Sequence, residues 1–93
     1  MGLRFEWNAE KASANDAKHQ VSFHEAATVF GDTLSMWIQD PDHSIGEERG
    51  LLIGLTYRGS LVVVAHTERP DGSIRIISAR LATKAERREY EGR

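Results

Sequence analysis

Cysteine is missing from this 93-residue chain, and its absence removes disulfide scaffolds, thiolate zinc sites and thiol nucleophiles together. Long apolar runs are missing too. The longest, Leu61 to Ala65, is five residues, against the roughly 20 that a helix needs to cross a bilayer, and the N-terminus carries no signal-like apolar segment. These absences predict a cytoplasmic protein with no membrane partner. Gly-rich phosphate loops, a nucleophile elbow, an EF-hand loop and His-Glu-x-x-His are all lacking, so the common enzyme classes get no support. The four histidines, His19, His24, His43 and His66, fall on different predicted elements, and we expect neither a metal site nor a cofactor.

What is present suffices for one compact domain spanning residues 1–93. Hydrophobic residues make up 40% of the chain and charged residues 28%, enough apolar surface for one core and too much for a disordered tail. The net charge of −2 hides an asymmetry. Residues 1–73 hold six Lys or Arg against eleven Asp or Glu, whereas 74–93 hold six against three. A basic C-terminal face can hold a polyanion on an otherwise acidic protein, because phosphate contact is local and screened within about 10 Å. The same charges also fit a solvated helix face.

Alternation of apolar and polar residues from Leu3 to Trp7 predicts a short strand. Asn8 offers a cap for a helix reaching about His19, and Ser22-Phe23-His24-Glu25 is a capping-box pattern opening a second helix that Gly31 ends. Period-two patterning returns from Leu34 to Gln39, from Arg49 to Tyr57, from Leu61 to Thr67 and from Ile74 to Ser78, with turns at Arg58-Gly59 and Pro70-Asp71-Gly72. Thr83-Lys84-Ala85-Glu86 opens a last helix running to about Tyr90. The order β-α-α-β-β-β-β-α predicts an α+β fold with helices packed on a curved antiparallel sheet. Trp7, Trp37 and Tyr57 read as core residues.

The remaining side chains suit RNA chemistry without a metal. Cleavage needs a base for the 2′-hydroxyl, an acid for the leaving 5′-oxygen and cations for the phosphorane-like transition state. Glu48 and Arg49 stand at a strand start, His66, Thr67 and Arg69 end the apolar central strand, and Arg75 and Arg80 flank the last one. Strand parity places Arg80 with Ile74 and Ile76, and Arg75 on the opposite face. Arg80 leads into Lys84, Arg87 and Arg88. These cations read either as a phosphate cradle or as a helix face paired with Glu86, Glu89 and Glu91.

A wider pattern runs through Phe5-Glu6-Trp7, Lys11, Asn15, Lys18-His19, Val21-Ser22-Phe23-His24-Glu25-Ala26, Val29-Phe30, Asp40 and Glu47-Glu48-Arg49. It continues through Ile53-Gly54, Ile74-Arg75-Ile76-Ile77-Ser78-Ala79-Arg80, Glu86-Arg87 and Tyr90. Together these residues resemble the BrnT family, toxins of bacterial type II toxin-antitoxin systems. The sequence departs from that pattern at Asn8, where Asp is usual, at Gln20 for Gly and at Leu81 for Lys. The resemblance implies a RelE-like fold, ribonuclease activity that inhibits translation, and a BrnA-like ribbon-helix-helix antitoxin. It further implies two toxins with two antitoxins, and operator DNA met only through the antitoxin. On that reading the chain is a metal-independent endoribonuclease with Arg80 and Arg49 as phosphate clamps and Glu48 or His66 as acid or base. Lys18, His19, Arg69, Lys84 and Arg87 then hold the RNA. The alternative is a non-catalytic module that binds RNA or the antitoxin.

Overall fold

The computed structural model describes residues 2–39 and 49–92. Strand β1 (Phe5–Glu6) leads to Asn8, whose side chain accepts the Lys11 amide at 3.0 Å and so starts α1 (Ala9–His19). That helix closes on Gln20, in the left-handed region at φ 59°, whose N–H donates to the Asp16 carbonyl. Ser22 starts α2 (Phe23–Ala27) by accepting the Glu25 amide at 3.0 Å. The other half of the expected capping box is not made, because the Glu25 carboxylate instead accepts the Thr56 hydroxyl at 2.8 Å. A 3₁₀ turn, Thr28–Gly31, completes this helical segment.

Four strands follow: β2 (Met36–Gln39), β3 (Arg49–Leu55), β4 (Leu61–Glu68) and β5 (Ile74–Leu81). They form an antiparallel meander, and β1 adds in parallel to β5, giving the order β1-β5-β4-β3-β2. Gly59 at φ 82° and Gly72 at φ 86° make the tight hairpin turns, a backbone region that side chains with a Cβ rarely adopt. Thr83 and Glu86 form a complete capping box at the start of α3 (Lys84–Glu91). The element order and mixed α+β class are those expected from the sequence.

One face of the sheet packs Leu52, Val62, Val64, Ile76 and Ala79 against Val21, Phe23, Ala26 and Val29 of the helical segments. Each Val, Leu, Ile or Phe among them contributes roughly 1.5–3 kcal/mol by leaving water. The other face carries Ile53, Leu61 and Val63, covered in part by Ala82 and Tyr90. The Tyr90 hydroxyl donates to Asp32 at 2.6 Å, and the same oxygen accepts the Leu55 amide at 2.9 Å, so α3 spans from the end of β5 to the segment before β2. Between α1 and β5, buried Asn15 donates to the carbonyls of Val21 at 3.0 Å and Ala79 at 2.9 Å, and accepts the Ala79 amide at 3.1 Å.

Two sequence expectations are corrected here. Trp37 and Tyr57 are not core residues but 59% and 74% exposed, because β2 is an edge strand and Tyr57 sits in the hairpin turn. Strand parity along β5 also fails. Ala65 pairs with Ser78 while the next residue, His66, pairs with Ile76, so Ile77 has no partner and bulges. Ile76 and Ala79 therefore point into the same core despite their spacing of three, and Arg80 moves to the face that Arg75 occupies.

Candidate nucleic-acid interface

The register sorts the α3 side of the sheet into three rows. Arg49, Thr67 and Arg75 form the first, Leu51, Ala65 and Ser78 the second, and Ile53, Val63 and Arg80 the third. Four residues of β4 separate the outer rows, about 13 Å at ~3.3 Å per residue. The result is a strip with arginines at both ends and small or apolar side chains between. From the side, α3 and β2 enclose a depression lined by Ile38, Ile53, Ala85, Glu86 and Glu89.

Each end is organised by a carboxylate. Glu6 accepts Arg75 Nη1 at 2.9 Å and the Ser73 hydroxyl at 3.3 Å, with Arg69 Nε 3.7 Å away. At the other end both Arg80 terminal nitrogens donate to Glu86, at 2.8 and 2.9 Å, in the two-pronged geometry that fixes a guanidinium plane. The Arg80 hydrogen bonds hold the Glu86 carboxyl down at about 2, from an ordinary 4.5. Glu86 in turn keeps the Arg80 guanidinium charged, above its usual range. Asp71, in the turn beside Arg69, is held low first by the Ser73 hydroxyl, at 2.6 Å.

The expected site residues divide among three places. Arg49 and Arg80 share the α3 face at opposite ends of the strip, and Arg69 joins the Glu6 end. Glu48 lies outside the described residues. His66 stands on the opposite face, 7% exposed, edge-on to Phe30 with ring centroids 5.0 Å apart and Nδ1 3.3 Å from the Val64 carbonyl. Burial pushes its pKa below 6.5, so the ring is neutral at pH 7. Lys18 and His19 close α1, with His19 beside Arg58, Ser60 and Leu81 at the end of the sheet near Arg80. Lys84 is exposed in the first turn of α3, and Arg87 pairs with Glu91 at 3.2 Å.

Parity puts Arg80, not Arg75, on the wrong face, and only the apolar spacing of Ile76 and Ala79 hints at its true place. Among the described residues no group of three His, Cys, Asp or Glu side chains is placed to hold a metal ion, and no helix is long and apolar enough to cross a membrane. Chemically, the strip can bind consecutive anionic groups and stabilise negative charge that develops between them.

The family model of the ribonuclease toxin BrnT, of type II toxin-antitoxin systems, matches residues 7–86. Among solved structures, the chain is similar to the crystal structure of the Brucella abortus ribonuclease toxin BrnT, with TM-score 0.65 and 19% identity. That match covers 89% of this chain and 100% of the Brucella chain, and it is a likeness of fold. No curated protein matches the sequence.

Proposed function

This chain belongs to the BrnT family of type II ribonuclease toxins, and on that premise we propose that it is a metal-independent endoribonuclease that stops translation by cutting RNA. The observation that carries the reading is the bulge at Ile77, which sets Arg75 and Arg80 on the face that also bears Arg49. A single strand laid along the three rows meets cations at both ends and small side chains in the middle. Arg49 and Arg80 clamp phosphates there, with Arg75 and Arg69 supporting the Arg49 end.

In this mechanism Glu48, next to Arg49 in the chain, takes the proton from a 2′-hydroxyl. The oxygen attacks the adjacent phosphorus, the bond to the 5′-oxygen breaks, and the leaving oxygen takes a proton from a water molecule, which regains one from Glu48. Arginine charge stabilises the phosphorane-like state between those events. His66 faces away from this strip and so takes no part in either proton transfer. Lys84 and Arg87 extend the cationic path along α3, and Lys18 and His19 continue it around the end of the sheet.

Family membership implies an antitoxin partner. We take it to be a BrnA-like ribbon-helix-helix protein that assembles two toxins with two antitoxins and alone touches operator DNA. Induction of the chain in bacteria, with growth and total RNA followed, tests the activity. The wild type arrests growth and fragments RNA, while Arg80→Ala, shown to be folded, loses about 10²–10³ in cleavage rate. Full arrest by that variant contradicts the assignment. The pairing of Arg75 and Arg80 with carboxylates favours a second reading, a binder without catalysis, which predicts intact RNA on induction.

A further inference from the structure

Beyond Arg80, at the end of the sheet, lies a depression of about 330 Å³ outside the arginine strip, lined by His19, Gln20, Glu25, Arg58, Ser60 and Leu81. Its volume is at the small end of the range for ligand sites, about 300–1,000 Å³, and suits one flat group such as a nucleobase.

The walls are fixed by hydrogen bonds between α2 and the β3–β4 turn. The Thr56 hydroxyl, which donates to Glu25 Oε2 at 2.8 Å, accepts the amides of Arg58 at 3.2 Å and Ser60 at 3.3 Å. Thr28 Oγ1 accepts the Tyr57 amide at 2.9 Å and donates to the Glu25 carbonyl at 2.6 Å. Glu25 therefore forgoes its half of the capping box and organises this turn instead. On the α1 side Gln20 holds φ 59°, a region that strains a residue with a Cβ and that clusters at ligand clamps.

Opposite charges face the depression without closing on each other. Glu25 and Arg58 both line it, yet no ion pair joins them, and among the described residues nothing accepts a hydrogen bond from the Arg58 guanidinium. Arg69, Arg75, Arg80 and Arg87, by contrast, each lie against a glutamate. Thr56 takes one acceptor site on Glu25, and a carboxylate offers about four.

This pairing of groups selects one base. A carboxylate only accepts and a guanidinium only donates. Guanine alone among the RNA bases sets two adjacent donors, N1–H and the 2-amino group, on its Watson–Crick edge, where one carboxylate takes both. Its neighbouring edge carries O6 and N7, two acceptors that an arginine takes in two-pronged fashion. Adenine and cytosine offer the carboxylate one donor beside an acceptor, and uracil one donor between two acceptors.

We propose that this depression is a guanine-reading subsite for single-stranded RNA, with Glu25 on N1–H and the 2-amino group and Arg58 on O6 and N7. This deepens the ribonuclease reading above and rests on it. Leu81, next in the chain to Arg80 and 58% exposed, leads the strand from the clamp to the pocket and gives the base an apolar contact. Cuts then fall at a fixed spacing from a guanine.

The test uses the full chain and short single-stranded RNAs of uridine with one central guanosine, or adenosine, inosine or 7-deazaguanosine in its place. Affinity is measured on 2′-O-methyl strands, which lack the attacking hydroxyl, and cleavage on their unmodified counterparts. The wild type is expected to bind the guanosine strand about tenfold more tightly than each substitute. Inosine lacks the 2-amino group and 7-deazaguanosine lacks N7, so each reports one contact. Glu25→Gln, which keeps an acceptor for Thr56, loses the preference over inosine, and Arg58→Ala loses the preference over 7-deazaguanosine. Each preference is a ratio within one protein, so the general loss of phosphate attraction in Arg58→Ala cancels. Arg58→Ala decides alone if Glu25→Gln melts early. Cleavage by a wild type that binds all four strands alike overturns the proposal and leaves the ribonuclease reading intact. A preference that survives in folded variants places the base elsewhere and overturns it as well. Guanine preference lost in the variants, with RNA left uncut by the wild type, supports the pocket and overturns the catalytic reading. A wild type that binds no RNA overturns both. Competition by guanosine monophosphate as tight as by the RNA would assign the pocket to a free nucleotide. Weaker binding of the protein from the adjacent reading frame by Arg58→Ala, without base preference in the wild type, would assign it to the antitoxin. Either result contradicts the proposal.

Discussion

Glu86 serves the Arg80 guanidinium through both oxygens and the Thr83 amide through one of them, at 2.8 Å, so a single carboxylate fixes the clamp and starts α3. Its folded pKa, about 2, lies below the ordinary 4.5. The stability it contributes is therefore complete above 4.5 and is lost as pH falls from there through about 2. Since Arg80 is 39% exposed, solvent screening limits the contribution, and Glu86→Gln should cost about 1–2 kcal/mol at pH 7. Chemical denaturation across pH checks this: the difference between wild type and variant closes towards pH 2. His66 is governed by the same linkage with a different cause. Burial depresses its folded pKa, so stability is complete above 6.5 and declines as pH falls below it. Its ring protons, followed by NMR, should titrate with a midpoint below 6.5, whereas a midpoint above that value would show the ring paired with an acid.

The elements with local signals are the ones the sequence announces. Asn8, Ser22 and Thr83 each accept a backbone amide three residues on, and that spacing is visible in the chain alone. The two glycine turns are equally plain. Pairings between distant segments are not, and three features depend on them. The bulge at Ile77 changes which face Arg80 occupies, and a pattern of period two carries no mark of one inserted residue. Trp37 reads as core because a large aromatic in an alternating strand resembles one, yet an edge position leaves it half uncovered. Asn15 stands in a helix as an ordinary polar residue, and only the arrival of Ala79 makes it the tie between α1 and β5. Hence the fold class was legible, and the residues sharing the arginine face were only partly so. Asn15→Ala leaves the Val21 carbonyl and both backbone groups of Ala79 without this partner, and should lower the unfolding free energy by about 2–4 kcal/mol, read from denaturant midpoints. A loss under about 0.5 kcal/mol would mean that water replaces all three bonds.

Across the whole molecule, charge is uneven along the chain, with residues 74–93 basic and residues 1–73 acidic. On the proposed reading, the arginines of the α3 face, with Lys84, Arg87 and Arg88, offer a polyanion a path over a chain whose net charge is only −2. Glu6 and Glu86 hold Arg75 and Arg80 in fixed positions, at the cost of part of their charge. Incubation of the purified chain with single-stranded RNA in excess EDTA, wild type beside Arg75→Ala/Arg80→Ala, tests the central claim most directly. The account predicts cleavage by the wild type and a loss of at least ~10² in rate by the folded double variant. Intact RNA with the wild type, or undiminished cleavage by the variant, would contradict it.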